Sequence, residues 1–284
     1  MSKKYWLFFI IIINCSILSS QSSENRKNYE ATRIQEAPKI DGLASEDVWK
    51  KASIAKNFVM VEPGDGTPIP ESHATEVKIL YDDLAIYIAA TMMESDPDKT
   101  IRQFTQRDNL QQSEYFLMDI NTYDDGENQT RFIVTSAGTQ ADARITGSQE
   151  DYGYNVVWES AVSQDENGWY LEMKIPYSAL RFPETEKQRW GLQFSREITH
   201  RNETYVWNYI NKSVGQMAQY TGLLTGINNI DPPVRLSLYP YIQSAFDSFD
   251  GNDDFSFNAG MDLKYGINDS FTLDLTLVPD FGQT

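Results

Sequence analysis

Two acidic positions stand where a carboxyl could take part in chemistry: Glu159 follows Trp158, and Asp119 lies near the end of an apolar run that starts at Tyr115. Glycoside hydrolysis needs two carboxylates about 5 to 10 Å apart, one with a raised pKa. Among 41 Asp and Glu residues no motif assigns the two roles, so no catalytic pair is named. The segment Asp124-Asp125-Gly126-Glu127-Asn128 gathers oxygen donors around a glycine, which suits a hard cation. It lacks the loop pattern of an EF-hand. With Asp142 as an added ligand, the candidate calcium set is Asp124, Asp125, Glu127 and Asp142, and a solvated hairpin tip is the alternative. Calcium is the one cofactor suggested. A second acidic group, Asp247, Asp250, Asp253 and Asp254 around Gly251 and Asn252, reads as an exposed loop.

Other chemistry has few residues to work with. Cys15 is the single cysteine and sits in an N-terminal apolar run, which leaves the rest of the chain without disulfide, thiolate nucleophile or thiolate metal site. His73 and His200 are the only histidines, so a multi-histidine zinc site or a Ser-His-Asp triad has few places to form. The net charge of −17 argues against nucleic acid, whose phosphates need a basic face. Aromatic residues make up 13% of the chain, which suits strands and flat stacking surfaces of the kind that hold sugars.

The elements that would position these residues are short strands. Glu76 to Tyr81 and Leu84 to Thr91 alternate around Asp82-Asp83 as a hairpin, and Asn167-Gly168 joins Val156–Val162 to Trp169–Ile175 as another. Tyr115–Ile120, Arg131–Thr135, Trp190–Ile198 and Thr204–Ile210 are further strands. Pro176 to Leu180 reads as one helical turn. Asp41-Gly42 is a turn before a short helix capped by Ser45, whose Trp49 plugs a sheet. Many strands with little helix imply an all-β fold, an antiparallel β-sandwich spanning residues 30–230.

The two ends follow different rules. Lys3 and Lys4 precede an apolar run from Tyr5 to Ile13 and then small and polar residues, the pattern of a secretory signal peptide over residues 1–20. Cleavage near Ser20-Gln21 is the main reading; lipid attachment at Cys15 is disfavoured by Asn14 before it, and an uncleaved anchor is a further alternative. After Asp231-Pro232-Pro233 the alternation becomes very regular: Phe255, Phe257, Ala259, Met261, Leu263 and Tyr265 interleave with polar or small residues, as do Phe271, Leu273, Leu275 and Leu277. One greasy and one wet face over strands of about ten residues fits the first strands of an outer-membrane β-barrel over residues 235–284. A soluble one-sided sheet has the same pattern. Three strands cannot close a barrel in lipid, so the barrel reading expects a longer natural protein.

The segment Pro38-Lys39-Ile40-Asp41-Gly42-Leu43-Ala44-Ser45-Glu46-Asp47-Val48-Trp49 resembles the opening of the family 9 carbohydrate-binding modules. Further pieces resemble a larger family, common in Bacteroidota and related bacteria, in which such a module precedes an outer-membrane barrel of unknown function: Glu76 to Asp83, Val157-Trp158-Glu159-Ser160, Gly168-Trp169, Ile175 to Pro183, Trp190-Gly191, Phe194-Ser195-Arg196 and Pro279 to Gln283. The resemblance implies a jelly-roll-like sandwich, secretion to the outer membrane with the sandwich periplasmic or on the cell surface, and capture of a glycan or oligosaccharide in its degradation. In the family 9 modules, tryptophans hold the sugar with calcium near the loops. Trp158 and Trp207 are the candidates for that role here, with Glu159 and Arg196 beside them, while Trp49, Trp169 and Trp190 read as structural. Exposure of Trp158 and Trp207 would favour sugar; burial would favour a plug or partner domain of a barrel transporter without sugar binding. A glycoside hydrolase is the third reading.

Overall fold

The computed structural model of this chain describes residues 26–64, 66–210, 217–232, 236–249, 252–267 and 271–277. The expected signal peptide, the tip at Asp250-Gly251 and the ending Asp280 to Thr284 lie outside the described residues. The strands are β1 (Asn28–Glu30), β2 (Thr32–Arg33), β3 (Val59–Glu62), β4 (Thr75–Tyr81), β5 (Ala85–Met93), β6 (Tyr115–Asn121), β7 (Asn128–Thr135), β8 (Gln140–Thr146) and β9 (Gln149–Asp151). They continue as β10 (Glu159–Asp165), β11 (Gly168–Pro176), β12 (Trp190–Ile198), β13 (Glu203–Val206), β14 (Gly222–Thr225), β15 (Leu236–Phe249), β16 (Asn252–Gly266) and β17 (Thr272–Leu277). Helical structure among the described residues is confined to 3-10 turns.

Two sheets face each other. The larger runs β1-β14-β12-β6-β7-β8-β9 with β13 and β3 branching from β12, and the smaller runs β10-β11-β5-β4-β2. Alternation assigns the faces. Phe116, Met118 and Ile120 of β6 and Leu192 and Phe194 of β12 point inward against Ile79 of β4, Ile88 of β5 and Leu171 and Met173 of β11, forming one core. The smaller sheet is covered on its other side too, because residues 34–52 fold back over it and seat Trp49 on Leu80, Tyr87 and Ala89. Trp49 donates from Nε1 to Glu172 Oε1 at 3.0 Å, and the other oxygen of Glu172 accepts from the backbone N–H groups of Asp41 and Gly42. Gly42 has φ of +82°, and a Cβ there would lie 2.8 Å from the Val162 carbonyl carbon, so the turn requires glycine.

Several local expectations shift. The plug is a 3-10 turn, Asp47–Lys51, with Glu46 rather than Ser45 before it and no side-chain cap. The β10–β11 turn falls one residue early: Asp165 pairs with Gly168 across Glu166 and Asn167. Asp82 closes the β4–β5 hairpin by accepting from Leu84 and Ala85 N–H groups.

The chain enters the sandwich by crossing between its sheets. β1 pairs parallel with β14, and β2, one residue later, pairs parallel with β4 in the other sheet.

β15, β16 and β17 form a separate three-stranded antiparallel sheet. Its register aligns Leu238, Leu263 and Leu275 across the strands, and Leu236, Tyr265 and Leu273 in the next like-facing row, while Tyr239, Asp262 and Thr276 make a row of opposite phase. Directly opposed residues share a face, so the sheet has one apolar side. That side packs under no second layer among the described residues, and Leu273, Leu275 and Leu277 are 47%, 44% and 44% exposed.

Candidate functional site

The outward face of the larger sheet carries a trough of about 540 Å³. The same alternation that buries Met118 and Phe194 turns Asp119 of β6 and Gln193 and Ser195 of β12 outward. Register sets Gln193 opposite Asp119, and Asp119 opposite Arg131 of β7, so three polar side chains form a row across three strands. Arg131 grips Asp119 bidentately, Nε to Oδ1 at 2.7 Å and Nη2 to Oδ2 at 2.9 Å, and its Nη1 donates to Glu150 Oε1 at 2.5 Å. Burial opposes the guanidinium charge, but Asp119 and then Glu150 outweigh it and hold Arg131 above its ordinary range. Gln193 is locked as well, donating to Asn208 O and accepting from Asn208 N. Val61, Ile145, Val206 and Ile210 supply apolar walls. Both trough carboxylates are thus spent on one arginine, and the set is a rigid polar clamp beside aliphatic surface.

The expected tryptophan pair is not a surface platform. Trp158 is 5% exposed and Trp207 3% exposed. Trp158 packs edge-on against Phe132 and donates from Nε1 to Asp142 Oδ1 at 3.1 Å. Trp207 packs against Phe194 on the β12 side of the core, beneath Lys27. Arg196, taken above as a ligand contact, is wholly buried, because it lies on the inward phase of β12 with Phe194 and Ile198. Desolvation pulls it down to about 10. Glu159 is exposed and paired with Lys174 at 2.9 Å. Of the four, Trp158 and Glu159 meet at one place, an open groove of about 520 Å³ lined also by Arg107, Gln140 and Phe104, whose ring is 79% exposed.

The acidic calcium set is also dispersed. Asp125 Oδ1 accepts from the N–H groups of Glu127 and Asn128 and from the Asn121 amide, closing its own turn. Burial would raise its pKa, but these hydrogen bonds outweigh that and keep it below the usual carboxylate range. Asp124 is taken by Arg26 and Arg189, and Glu127 is exposed. Asp142 faces the core under Trp158, bound to Arg107 and the Val156 N–H. It pairs with Phe132, four residues along β7 from Asn128, roughly 13 Å at strand rise. Among the described residues the group of donors close enough for one metal ion is instead His73, Glu94 and His200.

Arg131, Gln193 and Glu150 were not singled out in the sequence. Arg131 and Gln193 fall on the polar phase of alternating strands, a signal that marks an outward face without marking a site.

The described residues thus form an all-β sandwich with a polar row and a trough on one outer face. The family described as "Carbohydrate family 9 binding domain-like" matches residues 40–215, well over half of the chain, and the chain belongs to that family. Residues 232–284 match a domain of unknown function, DUF5916. A search of curated proteins gives no match. Among solved structures, the fold is similar to a carbohydrate binding module family 9 from Caldicellulosiruptor kristjanssonii in complex with cellotriose, at TM-score 0.50 and 14% identity over 70% of this chain and 93% of that one. The complex with glucose gives TM-score 0.51 and 15% identity over 73% and 100%. A Bacteroides uniformis protein gives 0.54 and 12% over 71% and 99%.

Proposed function

We propose that the sandwich is a non-catalytic carbohydrate-binding module whose saccharide lies in the trough over Gln193, Asp119 and Arg131. The row of locked planar groups carries this reading: a sugar offers hydroxyls that pair with fixed donors and acceptors, and C–H patches that need apolar walls. Support comes from the fold shared with modules crystallised with cellotriose and glucose. Calorimetry of the chain against cello-oligosaccharides, with and without calcium, tests it. Arg131→Ala should abolish the heat of binding, whereas Phe104→Ala, in the other groove, should leave it unchanged; equal binding by Arg131→Ala would refute the trough.

In the fuller form of this reading the chain is exported, sits at the outer membrane through its C-terminal strands, and captures glycan for degradation. The uncovered apolar side of β15–β17 supports the membrane part. A second reading, a plug or partner domain of a barrel transporter, is favoured by the burial of Trp158 and Trp207. It predicts no saccharide heat at any concentration and co-purification of the chain with membrane fractions.

A further inference from the structure

Four titratable side chains meet at one end of the sandwich, two from each sheet. His73 lies in the 3-10 turn Glu71–His73 just before β4, and Glu94 follows β5, so both hang from the smaller sheet. Glu114 precedes β6, and His200 sits in the turn Thr199–Arg201 after β12, so both hang from the larger one. One donor atom from each of His73, Glu94 and His200 lies within 4.8 Å of the other two. His73 Nε2 is 3.2 Å from Glu94 Oε1. Two ligands on a tetrahedral ion, each about 2.0–2.1 Å from it, stand roughly 3.3 Å apart.

The second nitrogen of each ring is already held. Ser72 Oγ is 2.8 Å from His73 Nδ1, and Glu114 Oε1 is 2.7 Å from His200 Nδ1, which leaves the Nε2 of His200 free to ligate. Such partners on the far nitrogen orient metal-binding imidazoles. The side chains of Glu94 and Glu114 are 1% and 0% exposed, and Oε2 of each has no hydrogen-bond partner. Against these two carboxylates stands Arg196, whose Nη1 donates to His73 O and Thr75 Oγ1 and whose Nη2 is 3.9 Å from Glu94 Oε2. Arg196 thus hydrogen-bonds to neither carboxylate, and two buried carboxylate oxygens are left unpartnered, a costly state in a dry interior.

We propose that His73, Glu94 and His200 bind a divalent ion of the zinc class, with Glu114 positioning His200, and that the ion clips the ends of the two sheets together. Imidazole with carboxylate suits zinc and its transition-metal neighbours and does not suit calcium. The site is separate from the trough and does not depend on saccharide binding.

The test is clean because these are the only two histidines in the sequence. The untagged chain is stripped with a chelator, titrated with Zn²⁺ alone, desalted, and read by elemental analysis and thermal melting. Expected are one zinc per chain, a raised melting temperature, and no such rise with Ca²⁺. His200→Ala and the near-isosteric Glu94→Gln should each weaken zinc binding at least tenfold and remove the zinc-dependent rise, Glu94→Gln while the stripped protein still melts cooperatively. Less than half a zinc per chain in the wild type, or full retention of zinc in both variants, would overturn the site.

Discussion

The sandwich and the C-terminal sheet are built from the same alternating pattern, yet their apolar residues end in opposite places. Trp169, Leu171, Met173 and Ile175 of β11 are each 0% exposed, whereas Leu273, Leu275 and Leu277 of β17 stay nearly half exposed. The difference is the second layer. β11 faces Phe116, Phe194 and Trp190 across the core and has residues 34–52 behind it; the apolar side of β15–β17 has no comparable cover among the described residues. Alternation therefore reports that a strand has a greasy face. What covers that face is set by the rest of the assembly.

The sharpest test of this contrast pairs one substitution from each region. Trp169→Ala should lower the unfolding free energy of the sandwich by about 3 to 5 kcal/mol, as for a large core side chain, while Leu275→Ala should move it by less than about 0.5 kcal/mol. Comparable losses in chemical denaturation would show that the two regions share a core. A smaller effect belongs to the turn that brings the plug over the smaller sheet. Gly42→Ala must adopt a left-handed backbone and push on Val162, so a loss of about 1 to 3 kcal/mol is expected in the same measurement. On the other side of the comparison, replacing Leu273 and Leu277 together with Asp should cut detergent binding sharply with the sandwich melt unmoved; unchanged detergent uptake would mean that the exposed leucines are not a lipid-type surface.

The smallest effect is one of pH. Desolvation raises Glu172 above its ordinary value of 4.5, in spite of the N–H groups of Asp41 and Gly42 that favour its charge. A raised carboxyl pKa stabilises the fold fully below the unfolded value, and that contribution is lost as pH rises through the folded one. The stability of the wild type relative to Glu172→Gln should thus decline as pH rises from below 4.5 through the raised value. A difference that grows with pH would reverse the assignment.

Much of the fold was legible because it depends on neighbours in sequence. Trp190–Ile198 appears in the structure with the expected bounds, and the hairpins at Asp82-Asp83 and near Asn167-Gly168 form where short-range turn chemistry placed them. β8 was missed because its outward Ala141 and Ala143 are small and its inward phase carries Asp142, a polar residue that is buried only because Trp158 and Arg107 satisfy it. The tryptophans were misread for a related reason: an aromatic ring is a platform or a core residue according to what lies across the sheet, and Phe132 and Phe194 were not visible as partners. Arg196 could have been placed, since alternation from Trp190 already turns it inward. The meeting of His73 with His200 could not, because no local pattern links two turns in different sheets.

The parallel pairing of β1 with β14 has a consequence in time. Asn28 finds Leu223 as its partner, and Glu30 finds Thr225, so the first strand of the sandwich waits for its last. A chain made from its N-terminus holds β1 without a mate until almost two hundred further residues have been added, and contacts this distant in sequence close slowly. Segments of β5, β6 and β12 can collect into hairpin-like pieces earlier, but in the larger sheet the strand that joins β1 to β12 is missing until β14 arrives. The sandwich of the nascent polypeptide therefore stays open at this point until residues 222–225 have been made.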